Sequence, residues 1–187
     1  MHETSSSLGS GSGEGGRPER DRIREAVERN PRAMTLQLAR NLAVPEVEVI
    51  RALPGGRAIE LDSAQWEEVF RSFEAFGPLR VLVSNGATTI EVVGQFGGFS
   101  TSGEFFNVQT DTLDMHIRWR QLAAVFAVEK LGHMDGSPTQ SIQFYDRDGA
   151  AALKVFVAFG RPVVPQIAQR FSEIREQFQR NLSAEQT

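Results

Sequence analysis

No cysteine occurs anywhere in the 187 residues, which excludes disulfides, thiolate nucleophiles and thiolate metal sites together. No apolar run reaches the about 18 residues that a membrane-crossing helix needs. The amino terminus shows neither the basic nor the apolar region of a secretory signal, so the expected location is the cytoplasm. Positive charge is in short supply as well: the net charge is −4 and the pI near 5.5. A phosphate backbone needs a basic field to bind, so nucleic acid is not an expected partner. The minimal parts of familiar catalytic sites are also missing: there is no G-x-S-x-G, no H-E-x-x-H and no P-loop. The adjacent carboxylates Glu67 and Glu68 fall on the solvated side of a helix pattern. What is present is 40% hydrophobic residues, enough for a proper core in one globular unit.

Residues 1–16 are dominated by glycine and serine and bury too little to offset their ordering entropy, so they read as a disordered tail. Gly11, Gly13 and Gly16 spell G-x-G-x-x-G, but no strand precedes them, and the dinucleotide reading needs that strand. Residues 17–53 turn helical. Ile23, Ala26 and Val27 mark one stripe ending near Asn30-Pro31, and two short helices follow, divided around Val44-Pro45. The pair resembles a helix-turn-helix. A DNA reader would carry several cationic or amide side chains on the outside of its second helix. Here Glu46 and Glu48 stand there with only Arg51, so the segment reads as a helical cap.

Residues 54–181 carry the rest. Asp62 is a good N-cap with Gln65 three residues on, and Trp66, Val69, Phe70, Phe73 and Phe76 put aromatics on one helical face, taken as core. Asn85-Gly86 between two alternating runs, 79–83 and 88–93, is a hairpin signal. From Phe105 to Val157 the apolar residues recur at every second position. Leu113, Met115 and Ile117 face one way, and Asp114, His116 and Arg118 the other. Ala123–Val128 is apolar throughout, as in a central strand, and Asp148-Gly149 marks another hairpin. This block predicts four antiparallel strands in a meander. A helix over about 163–181 buries Ile167, Phe171, Ile174 and Phe178, and 182–187 are expected to fray. The order of elements is α+β: an antiparallel meander sheet flanked by helices, with an N-terminal helical cap.

The ordered series Ala52-Leu53-Pro54, Phe105-Phe106-Asn107, His116-Ile117-Arg118, Met134-Asp135, Ser141-Ile142-Gln143-Phe144 and Asp146–Gly149 resembles the haem-utilisation carrier family of the HutX/ChuX type. It is also similar to one repeat of the larger HemS/ChuS haem-trafficking proteins. The resemblance covers roughly residues 35–178. It implies an intracellular haem-binding homodimer that carries or stores haem in iron utilisation and iron transport. Some HemS/ChuS relatives degrade haem, and since ring opening is largely the iron's own chemistry with a reductant, the resemblance leaves enzyme activity open.

Within that family one haem-associated histidine lies in "HIR" and aligns with His116. A second lies just before "GFFN", where this chain has Gly103. An imidazole is a strong axial donor to haem iron, in an apolar pocket with cations for the propionates. The candidate haem site is therefore His116 with Arg118, Arg120, Phe105, Phe106 and Met134, and His133 as a second ligand from a loop. On the residues alone, His116 fits a solvated strand face equally well, and a loop histidine is ordinarily just exposed. A non-haem ligand-binding or protein-interaction module that kept the fold is the alternative.

Overall fold

A computed structural model describes residues 16–159 and 164–179. Three helices come first: α1 (Gly16–Arg29), α2 (Thr35–Leu42) and α3 (Glu46–Arg51). The stripe on α1 buries Ile23 and Val27 against Leu38, Ala39 and Val49, so the three helices close on a small core of their own. The sharp corner between α2 and α3 is made by Ala43, at φ 55°, followed by Pro45 at the start of α3. Next come β1 (Ala58–Leu61), a 3-10 turn, and α4 (Trp66–Ser72). The Asp62 carboxylate accepts from the Ala64 N–H at 2.9 Å and from the Gln65 amide at 3.0 Å, so the expected cap forms on the 3-10 turn.

The strands that follow are β2 (Pro78–Ser84), β3 (Thr89–Gln95), β4 (Ser100–Ser102), β5 (Phe105–Gln109), β6 (Asp114–Ile117), β7 (Leu122–Leu131), β8 (Pro138–Asp146) and β9 (Ala151–Ala158). The chain is closed by α5 (Pro165–Phe178). Six strands form one antiparallel sheet in the order β1-β7-β8-β9-β2-β3, and β4-β5-β6 form a second. The stretch from Phe105 to Val157 is thus five strands in two sheets, not four in one meander. The alternation that begins at Leu113 stops at Ile117, because Trp119–Gln121 coil into a 3-10 turn and let the chain step from one sheet to the other. Two further strands escape the alternation pattern. β1 is four residues long and exists by pairing with β7, Ala58 opposite Val128. β4 lies in the glycine-rich stretch and pairs with β5.

Register decides what each side of the large sheet meets. Ile59, Ala127, Ile142, Val155, Val81 and Val92 share a row on one side. Except at the β3 edge, where Val92 stays exposed, that side is covered by α4, α5 and the small sheet, and the aromatic stripe of α4 is core as expected: Phe70 stacks on Phe144 at 4.3 Å. The next row, Glu60, Phe126, Gln143, Lys154, Leu82 and Glu91, faces the opposite way. There Val47 and Ile50 of α3 pack on Phe126, Val128 and Tyr145. The segment leading into β4 runs close against β5 of the same small sheet. A Cβ at Gly98 (φ +57°) would lie 2.0 Å from the Gln109 carbonyl oxygen, so only glycine fits. The expectations for Gly160-Arg161-Pro162 and for the chain ends at 1–15 and 180–187 lie outside the described residues.

Candidate functional site

Helix α3 is too short to cover its side of the large sheet, and a cavity of about 430 Å3 remains between α2 and the strands. Met34, Leu82, Leu131 and Phe156 contribute apolar wall, Arg40, Lys130 and Lys154 contribute cations, and His133 reaches it from the β7–β8 loop. Volume and composition are those of a small-molecule pocket: mostly apolar lining with a few convergent polar groups.

Buried polar chemistry forms its floor. Glu46, expected on the outside of α3, is 4% exposed and accepts from Lys154 Nζ at 2.5 Å and from the Thr35 hydroxyl at 2.5 Å. The expectation failed because it counted only the solvent face of an isolated helix, whereas the first turn of α3 points into the sheet. The Tyr145 hydroxyl donates to Gln143 Oε1 at 2.6 Å, and Gln143 Nε2 donates to Ser141 Oγ at 2.9 Å. Burial, with the Glu46 charge behind it, pushes the Tyr145 phenol well above its usual range, so it stays a neutral donor. Lys130 is different. Burial first, and the nearby Lys154 charge second, bring its ammonium down to about 8.

The loop that carries His133 is pinned. The Asp135 carboxylate accepts from the Ser137 N–H at 2.9 Å and hydroxyl at 2.7 Å, bonds that hold its carboxyl below the usual range. Arg32 donates to the His133 and Met134 carbonyls at 3.4 and 2.5 Å. Met134 itself is 74% exposed. It does not line the cavity, because its side chain leaves the loop on the solvent side.

His116 lies elsewhere, on the outer face of the small sheet, directly opposite Asn107. Its Nδ1 is 2.7 Å from Asn107 Oδ1, and the side chain is 55% exposed. Since an amide oxygen can only accept, Nδ1 is the donor, which in the neutral ring leaves the lone pair on Nε2, with Asp114 Oδ1 3.5 Å from Nε2. Asn107 is itself held, its amide nitrogen donating to Ser100 Oγ at 3.1 Å. Phe105 meets the imidazole edge-on at 6.3 Å, and Arg118 lies over the Phe105 ring while facing Glu104.

Four of the anticipated neighbours fall away, Met134 among them with its loop. Phe106 is fully buried on the inner face, between Trp66, Phe70 and Phe99. Strand alternation sends it opposite to Phe105. Arg120 sits in the 3-10 turn, over the Trp119 ring, and does not continue the face of His116 and Arg118. His133 lines the cavity on the cap side of the large sheet, whereas His116 stands on the small sheet that packs against the other side. Gly103, where the family's other histidine would fall, is in the β4–β5 turn at φ +58°, a conformation that favours glycine.

A family profile described as the haemin-degrading HemS.ChuX domain matches residues 43–178. The chain belongs to the HemS/ChuX family. Among members of this family, the intracellular heme transport protein HutX of Vibrio cholerae is 20% identical over 159 residues, which are 83% of this chain and 81% of HutX. A crystal structure of an Agrobacterium tumefaciens protein superposes with a TM-score of 0.78 at 21% identity, covering 94% of this chain and 100% of that one. The heme binding protein ChuX superposes with a TM-score of 0.73 at 20% identity, covering 83% of this chain and 97% of ChuX. The HemS/ChuX fold expected from the residues is therefore the fold observed. Sequence reasoning missed Lys130, Lys154, Arg40 and Glu46. One signal was available: Lys154 interrupts the apolar run Leu153–Val157, where a lone charge needs a partner.

Proposed function

We propose that this chain is an intracellular haem-binding protein that carries or stores haem in iron utilisation, working in the cytoplasm, and that the macrocycle is received in the cavity beneath the helical cap. The observation that carries this reading is the joint presence there of apolar walls, three cationic side chains and the imidazole of His133. Haem is flat, greasy and dianionic, and it asks for those three features together. Membership of the HemS/ChuX family, and relatives named for heme transport and heme binding, support the same cargo. No helix among the described residues is long and apolar enough to cross a membrane.

The small sheet offers a second reading, with His116 as iron ligand beside Phe105 and Arg118. The held tautomer favours it: ligating histidines ordinarily give their other ring N–H to an acceptor, as His116 does to Asn107. Two copies of the chain pair through the β2–β3 hairpin in this proposal. β3 is an edge strand, and its Ile90 and Val92, with Val83 of β2 beside them, leave an apolar patch open on the hairpin, Ile90 59% exposed.

Haemin titrated into the purified protein should give a saturable, stoichiometric shift of the Soret band. His133→Ala should alter that band under the cavity reading, and His116→Ala under the second. A diffuse, unsaturable broadening would instead favour a module that keeps the fold and binds something other than haem.

A further inference from the structure

Among the 20 cationic residues of this chain only two are lysines, at 130 and 154, and the other 18 are arginine. Both lysines line the cap cavity. An arginine is always charged, whereas a lysine gives up its proton when it is buried. The charges at the cavity floor do not cancel. Lys154 is spoken for by Glu46. Glu91 pairs with Arg80 at 2.6 Å. Arg40, at the exposed rim, donates to the Gly86 carbonyl at 2.9 Å. Lys130 has no carboxylate partner among the described residues: its ammonium donates to the Leu131 and Pro31 carbonyls at 3.0 and 3.4 Å. Two lysines against one glutamate leave one positive charge, enough for one further carboxylate.

We infer that Lys130 is the receptor for an acid arm of the cargo, and that in mildly alkaline solution the cargo is taken up together with a proton. The inference rests on the reading of the cavity as the cargo site. The charged and titratable groups that line the cavity with Lys130 are Lys154, Glu46, Glu91, Arg40 and His133, and Glu28 and Arg57 line the groove on its other flank. In the empty protein burial and Lys154 bring Lys130 down to about 8, so above that pH it is mostly neutral. An arriving carboxylate supplies the missing countercharge and restores the proton. By linkage, affinity is level below the free value and falls by up to about tenfold per pH unit above it.

Metal-free protoporphyrin IX and its dimethyl ester test this without any iron ligand. Binding to the full chain, followed by fluorescence between pH 7 and 10, should show the diacid weakening above about pH 8. The ester should bind more weakly and without that dependence. Lys130→Met should lose the preference for the diacid. Lys130→Arg should keep the preference and lose the pH dependence, since arginine stays charged. Calorimetry at pH 8.5 in two buffers of different ionisation heat should count roughly half a proton or more taken up by the wild type and none by either variant. If Lys130→Met keeps both the preference and the pH profile, the inference is overturned while the haem-carrier reading stands. If neither porphyrin binds saturably to the wild type, both fall.

Discussion

Lys154 Nζ of β9 lies 2.5 Å from Glu46 Oε1 of α3, an ion pair whose carboxylate side chain is 2% exposed and whose lysine is 12% exposed. It ties the helical cap to the large sheet through a site that water scarcely reaches. Removing one partner strands the other charge, which typically costs about 3–5 kcal/mol. Glu46→Ala should lower the stability measured by urea unfolding by about that amount. Pairing it with Lys154→Met should recover a large part of the loss, because no charge is then left buried.

Lys130 sets a pH dependence of the same sense as the usual acid loss but displaced to alkaline pH. The folded chain releases this proton at about 8, whereas the unfolded chain holds it to 10.5. Between those values the unfolded state binds more protons, so stability rises with pH. Lys130 is only partly buried, and solvent screening reduces the effect to about 1 kcal/mol. Lys130→Met should therefore be more stable than wild type at pH 7, with the gap closing by about pH 10, as read from denaturant midpoints across that range.

If iron is held on the small sheet, Asn107 orients its ligand. Asn107→Leu removes the acceptor for His116 Nδ1 and frees the ring to change tautomer. Haemin affinity should then drop by about 10–100-fold with the fold intact by circular dichroism. An unchanged Soret titration in Asn107→Leu would place the iron away from His116.

Gly98→Ala forces a methyl to within 2.0 Å of the Gln109 carbonyl at a left-handed φ. The segment leading into β4 would have to pull away from β5, at a cost of about 2–4 kcal/mol. Gly103→Ala shares the positive φ but meets nothing within 4 Å. It should cost only about 1 kcal/mol, and thermal melts of the two variants should separate accordingly.

If two copies pair through the β2–β3 hairpin, substitutions there report on assembly. Ile90→Lys with Val92→Lys places charges on the open apolar patch and should shift the chain to monomer in light scattering. Both residues are exposed in the single chain. Unfolding of the monomeric variant at low protein concentration should match that of dissociated wild type.

The class of fold was legible because it depends on period. Ile23, Ala26 and Val27, the Phe70–Phe73 stripe and the Leu113–Ile117 alternation each bury the face that their spacing predicts. β1 was not legible, since Ala58–Leu61 is a strand only by virtue of β7 beside it. The large-sheet boundary was hidden too, because Trp119–Gln121 look like a continuing strand until the chain turns.

For the site, His116 could be placed on an open strand face from alternation alone, and so could the separation of Phe105 from Phe106. That Asn107 stands opposite His116, that His133 belongs to a different surface, and that both lysines meet around Glu46 are matters of register between segments up to 108 residues apart. Local sequence sets which way each side chain points along its own element, because backbone geometry repeats every 2 or 3.6 residues. Which elements then face one another is settled by the packing of the whole core, and that is where a cavity, its charges and its cargo are decided.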